Sequence, residues 1–78
     1  MNPRVKTVSP QSDFTLLVGF TNGEKKIFDA KPYLDKGVFV ELKNLDLFMQ
    51  AYPALGTVTW PNELDFCPDT IYLEATEI

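Results

Sequence analysis

Histidine is absent from the 78 residues, and cysteine occurs once, at Cys67. The first absence removes the commonest general base and the commonest metal ligand. The second excludes an internal disulfide and a structural zinc site, and it suits a reducing cytoplasm. No apolar run approaches the roughly 18 residues of a membrane-spanning helix. The start, Met1-Asn2-Pro3-Arg4-Val5, lacks the apolar core of a signal peptide. There is no glycine-rich phosphate loop, no Walker lysine and no Ser-x-x-Lys. No catalytic residue, metal site or cofactor is therefore expected, and the chain reads as a non-enzyme.

Basic residues are missing from the whole second half. All seven lie in the first 43 positions: Arg4, Lys6, Lys25, Lys26, Lys31, Lys36 and Lys43. Beyond Lys43 come only acids: Asp46, Glu63, Asp65, Asp69, Glu74 and Glu77. The net charge of −4 disfavours direct binding of nucleic acid. The C-terminal half is a candidate for a purely negative surface, set against chance scatter over a solvated exterior.

What is present reads as one domain spanning 1–78. Apolar residues make up 45% of the chain, close to the globular average. Area scaling predicts a folded surface of roughly 4,800 Å² against roughly 12,800 Å² unfolded, enough burial for independent folding.

Arg4 to Val8 is a first strand, closed by the turn-rich Ser9-Pro10-Gln11-Ser12-Asp13. Phe14, Leu16, Val18 and Phe20 then alternate with Thr15, Leu17 and Gly19, the period of a strand. Asn22-Gly23 suits a two-residue type I′ turn, and Lys25 to Asp29 returns antiparallel. That turn pairs Thr21 with Glu24, Val18 with Ile27 and Leu17 with Phe28. Ile27 would then join the Phe14/Leu16/Val18/Phe20 face, and Leu17 and Phe28 would share the wetter one.

Lys31-Pro32 breaks the strand, and Tyr33 to Gly37 reads as a loop or single helical turn. Val38, Phe39 and Leu42 have the spacing of another short turn. Asn44 is an N-cap for a helix bearing the stripe Leu45, Phe48, Met49 and Tyr52, with Asp46 in its first turn and Pro53 as its stop. Thr57 to Trp60 is β-branched and aromatic, hence a strand, and Leu64 to Phe66 is extended. Pro68 fits the first position of a final helix with Ile71, Tyr72, Ala75 and Ile78 on one face. The same stretch also alternates as a strand would, at Ile71, Leu73 and Ala75; the helix is the preferred reading. The expected fold is α+β: a three-stranded N-terminal sheet with a hairpin, a later strand, one amphipathic helix and short helical turns.

Three features carry potential chemistry. Asp65 and Asp69 are four apart, but a working carboxylate pair needs a shaped, buried pocket, and this chain has little volume for one. Cys67 lacks a base, so the simpler reading is a small, partly buried apolar filler. Trp60 is either an interface anchor or the largest piece of the core.

The Phe20-Thr21-Asn22-Gly23-Glu24 hairpin, the Phe39…Leu42…Phe48 spacing and Thr57-Val58-Thr59-Trp60-Pro61-Asn62…Asp65…Pro68-Asp69-Thr70-Ile71-Tyr72 together resemble a bacterial family catalogued as domain of unknown function 2442. The resemblance spans nearly the whole chain. It departs at Glu63, where the family often has glycine after Trp-Pro-Asn. It implies an α+β fold. It also implies either coupling to a helix-turn-helix region or pairing with a small neighbouring protein, as in a toxin–antitoxin pair.

Two expectations of function follow. The first is an adaptor or antitoxin-like module that binds a basic protein through Trp60, Glu63, Asp65, Phe66, Asp69 and Tyr72, with a homodimer through the same region as a variant. The second is a regulatory or ligand-sensing domain of the kind that accompanies DNA-binding domains.

Overall fold

Alternating apolar residues build the main sheet of the computed structural model, which describes residues 2–78. β1 (Val5–Pro10), β2 (Thr15–Phe20) and β3 (Lys25–Asp29) form an antiparallel meander, and β6 (Thr76–Glu77) joins beside β3, giving the order β1-β2-β3-β6. β1 runs two residues past the expected Val8. Ser9 and Pro10 pair with Leu17 and Leu16, and an edge strand tolerates the proline. β6, with two residues, is a short edge of the kind that does not invite further pairing. The fold class is α+β, as expected.

The β2–β3 register differs by one residue from the sequence reading. Val18 pairs with Lys26, Leu17 with Ile27 and Leu16 with Phe28. The loop has three residues, Thr21 to Gly23. The Gly23 N–H donates to the Phe20 carbonyl at 3.0 Å, and the Phe20 N–H donates to the Glu24 carbonyl at 2.9 Å. Only Gly23, at φ 90°, takes positive φ, while the Asn22 side chain accepts from the Glu24 N–H. This is a turn followed by a glycine bulge. A slip of one residue exchanges the faces of a strand. Phe28 therefore enters the core at 1% exposure, and Ile27 moves to the outer face beside Leu17.

A second hairpin covers one end of the sheet. β4 (Tyr52–Ala54) pairs with β5 (Thr57–Thr59), so the later strand joins a small sheet of its own. Leu55 and Gly56 are its two-residue loop, at φ 53° and 79°. Two positive φ angles mark the type I′ geometry expected instead at Asn22-Gly23. Arg4 holds this turn: its Nη1 donates to the Leu55 carbonyl at 3.3 Å, and the Val5 N–H donates to Gly56.

The helical elements close the core. Short 3₁₀ turns cover Lys31–Tyr33 and Gly37–Lys43, α1 covers Leu45–Phe48 and α2 covers Pro68–Glu74. Asn44 caps α1 by accepting from the Asp46 N–H at 3.0 Å, as expected. The expected four-residue stripe does not persist. α1 ends at Phe48, leaving Met49 and Tyr52 exposed and Tyr52 in β4. Pro53 accounts for Tyr52, because the residue before a proline is driven to extended backbone. α2 confirms the helical alternative for the final segment, with Pro68 in its first turn and Ile71 buried; Ile78 lies beyond it, exposed.

Leu16, Val18, Phe20, Phe28, Leu42, Phe48, Val58, Trp60, Phe66 and Ile71 share one core. The accessible surface is 4597 Å², close to what chain length demands.

Two three-residue loops, Thr21–Gly23 and Pro61–Glu63, give predictions of opposite sign. A Cβ at Gly23 would meet nothing within 4 Å, so Gly23→Val suffers backbone strain and no clash. It is expected to lose at least about 1 kcal/mol, since positive φ is costly for a β-branched residue. Pro61-Asn62-Glu63 repeats the same loop: the Glu63 N–H donates to Trp60, the Trp60 N–H to Leu64, and Asn62 Oδ1 accepts from the Leu64 N–H. Here Glu63 occupies the glycine position, at φ 70°. Glu63→Gly is expected to gain about 0.5–1 kcal/mol, the relief of strain less the added freedom of the unfolded chain. Urea midpoints that move in the same direction for both variants would rule out the shared geometry.

Candidate functional site

The segment from Thr57 to Phe66 carries Trp60, Glu63, Asp65 and Phe66, four of the residues expected to meet a partner, and Asp69 and Tyr72 follow in α2. The segment folds as β5, the Pro61–Glu63 loop and an extended return, with the Phe66 N–H donating to the Val58 carbonyl and a bridge between Thr59 and Asp65. Strand alternation then sorts its side chains. Val58, Trp60 and Phe66 point inward and are buried, while Asp65 is exposed and the turn presents Glu63 to solvent.

Trp60 is 1% exposed; its Nε1 donates to the Phe48 carbonyl at 3.0 Å, and its ring lies 6.0 Å from that of Phe48. Phe66 is stacked on Phe39 at 4.5 Å between centroids and meets the edges of Phe28, Tyr33 and Trp60. These two aromatics are core residues, which corrects their expected place on the interaction surface. Burial against other rings secures more apolar contact than a surface position in so small a domain. Tyr72 is half-buried, edge-on to Phe20 at 5.1 Å.

The acids stay outside. Glu63, Asp65 and Asp69 are exposed. Asp69 accepts from Asn2 Nδ2 at 3.2 Å, beside a surface depression of about 230 Å³ lined also by Arg4 and Pro68. Asp65 and Asp69 lie on different elements, so the helical spacing that would bring them together does not apply. Asn62 Nδ2 donates to Glu41 Oε2 at 3.1 Å, which adds a carboxylate beside the turn bearing Glu63. Cys67 is exposed rather than partly buried, because it follows the inward Phe66 and precedes Pro68 at the start of α2. Among the described residues no group of three or more His, Cys, Asp or Glu is placed to hold a metal ion. Among them also, no helix is long and apolar enough to cross a membrane.

Several exposed apolar residues escaped the sequence reading, among them Tyr52 at 44%, Leu55 at 93% and Leu73 at 69%. The signal for Tyr52 was Pro53, which drives the residue before it out of helical geometry. Lys26 was missed in the other sense. It is buried on the core face of β3, with Nζ 3.9 Å from the Tyr72 ring centroid and 3.9 Å from Glu24 Oε2.

Two tyrosine–carboxylate pairs tie α2 to the rest of the fold. Tyr72 Oη donates to Glu24 Oε1 at 2.7 Å, and Tyr33 Oη donates to Glu74. The family described as "Protein of unknown function (DUF2442)" matches residues 5–77. The chain belongs to this family. Nothing among the curated proteins or the solved structures matches it. In this DUF2442 domain the matched span runs from β1 into β6 and so takes in every element described above.

The same pairs set an alkaline limit. The hydrogen bond to Glu74, with burial, pushes Tyr33 up to about 12. The bond to Glu24, with burial, raises Tyr72. A raised tyrosine contributes stability that is complete below its unfolded value of about 10 and is lost as pH rises through the folded value. The urea midpoint is therefore expected to fall above about pH 10, and the fall is expected to shrink in Tyr33→Phe/Tyr72→Phe. An equal fall in that variant would show that neither pair is the cause. On the acid side the Tyr72 and Asn22 hydrogen bonds lower Glu24, so its contribution is lost as pH falls through that depressed value.

Proposed function

We propose that this protein is a small, non-catalytic binding module that docks a basic protein through the surface bearing Glu63, Asp65 and Asp69. It would act as an adaptor or antitoxin-like partner in a bacterial cytoplasm, where the exposed thiol of Cys67 would stay reduced.

The observation that carries this reading is where charge is compensated and where it is not. The three ion pairs among the described residues, Lys26–Glu24, Lys31–Asp29 and Lys43–Asp35, all lie within the first 43 positions. The later acids form none among the described residues. Carboxylates that form no ion pair within their own chain speed association with a complementary partner and disfavour nucleic acid. Tyr52 and Leu73 supply the exposed apolar contact that Trp60 and Phe66 do not.

The test is capture from a cell extract with the tagged chain, followed by affinity measurement with the purified captured protein. The expected result is a basic protein whose association weakens as salt rises, since screening shortens with ionic strength. Asp65→Lys/Asp69→Lys, with its fold checked by circular dichroism, is expected to abolish that association. A partner indifferent to both salt and charge reversal would sink the reading.

A further inference from the structure

Each of two tyrosines in this chain already sits between a cation and a carboxylate of its own. Tyr72 has Lys26 Nζ over its ring at 3.9 Å and Glu24 on its hydroxyl. Tyr33 has Lys36 Nζ over its ring at 5.6 Å and Glu74 on its hydroxyl. The third, Tyr52, has no lysine or arginine over its ring among the described residues, although it is 44% exposed.

Register supplies the carboxylate. Tyr52 pairs with Thr59, and Thr59 bridges to Asp65, so the three form one row across the small sheet. Side chains of paired residues stand on the same face, and the buried Val58, Trp60 and Phe66 occupy the other. Tyr52 and Asp65 are exposed and Thr59 between them is half-buried, so the row faces outward. Two strand spacings separate its ends, about 10 Å between the Tyr52 and Asp65 backbones. Thr59 lies between them, its hydroxyl engaged with the Leu64 carbonyl at 2.9 Å. Asp65 forms no ion pair among the described residues.

We propose that the Tyr52–Thr59–Asp65 row takes an arginine side chain of a partner protein. The guanidinium would lie over Thr59, its plane against the Tyr52 ring and its N–H fork toward the Asp65 carboxylate. Arginine suits the row better than lysine because one flat group both stacks on an aromatic face and meets a carboxylate with two parallel donors. Glu63 on the adjoining turn, and Glu41 of the 3₁₀ segment that accepts from that turn's Asn62, add negative potential that favours a cation and disfavours an acidic visitor.

This inference rests on the acidic surface being the docking face, and it adds the chemistry of the contact. The test uses three capped tripeptides, Gly-Arg-Gly, Gly-Lys-Gly and Gly-citrulline-Gly, titrated into the ¹⁵N-labelled chain. Citrulline keeps the shape of arginine and removes its charge. The arginine peptide is expected to shift the amides of Tyr52, Thr59 and Asp65 in a saturable way, the lysine peptide less, and the citrulline peptide not at all. Tyr52→Leu and Asp65→Asn are each expected to reduce the arginine shifts to the citrulline level, with the rest of the spectrum unchanged. Asp65 is an exposed position, so its variant keeps the test decisive should Tyr52→Leu fail to fold. Equal shifts from citrulline or lysine, shifts mapped elsewhere, or shifts that survive Asp65→Asn would overturn the proposal. A partner lost on Asp65→Lys/Asp69→Lys, with no arginine response at the row, would leave the docking reading standing and this one refuted. An arginine response with no basic partner sensitive to those acids would support the row and refute the docking reading.

Discussion

Phe48→Ala is expected to cost about 3–5 kcal/mol, a large part of the whole stability of a domain this size. Phe48 is fully buried, lies edge-on to Phe14 at 5.1 Å and packs against Trp60. α1 has four residues, far fewer than an isolated helix needs, so its single turn owes its place to Asn44 at one end and the Phe48 ring at the other. Removing the ring opens a cavity and releases that turn together. The checking measurement is the urea midpoint. A folded Phe48→Ala protein with the wild-type midpoint would show that the helix is not anchored as described.

Trp60→Ala is expected to cost a similar amount, about 3–5 kcal/mol, and Trp60→Phe about half of that. The phenylalanine variant keeps an aromatic ring against Phe48 and Phe66 but loses the indole donor to the Phe48 carbonyl. That carbonyl also accepts from the Ala51 N–H at 3.2 Å, so it keeps one partner. Because Phe48 and Trp60 touch, the double substitution should depart from additivity by about 0.5–3 kcal/mol. Trp60→Phe also separates the two roles that tryptophan often plays. At 1% exposure it has no surface to offer, so a folded Trp60→Phe protein is expected to bind its partner as the wild type does. A tenfold loss of affinity, about 1.4 kcal/mol, in a protein of near-normal stability would restore Trp60 to the interface.

The local chemistry of the chain was enough for much of the fold. Alternation over Thr15–Phe20 marked β2, Asn44 with Asp46 marked the start of α1, and Pro68 marked the start of α2. Each of these depends on neighbours within a few residues, so each is legible in the chain itself. The three acids of the candidate site were legible for a similar reason. A carboxylate without a salt-bridge partner costs too much to bury and stays in water.

Tertiary packing decided the rest. Asn22-Gly23 is compatible with a two-residue or a three-residue loop, and burial of Phe28 favours the second, because a one-residue slip would turn that ring to solvent. Leu45, Phe48, Met49 and Tyr52 are spaced as a stripe, yet there is room in the core for only the first two. Trp60 and Phe66 are equally suited to core and interface by composition. Their burial follows from a pairing between Val58 and Phe66 that no local pattern announces. The row of Tyr52, Thr59 and Asp65 exists only because two hydrogen-bonded registers meet on β5, and contacts between separate strands are settled when the chain closes on itself.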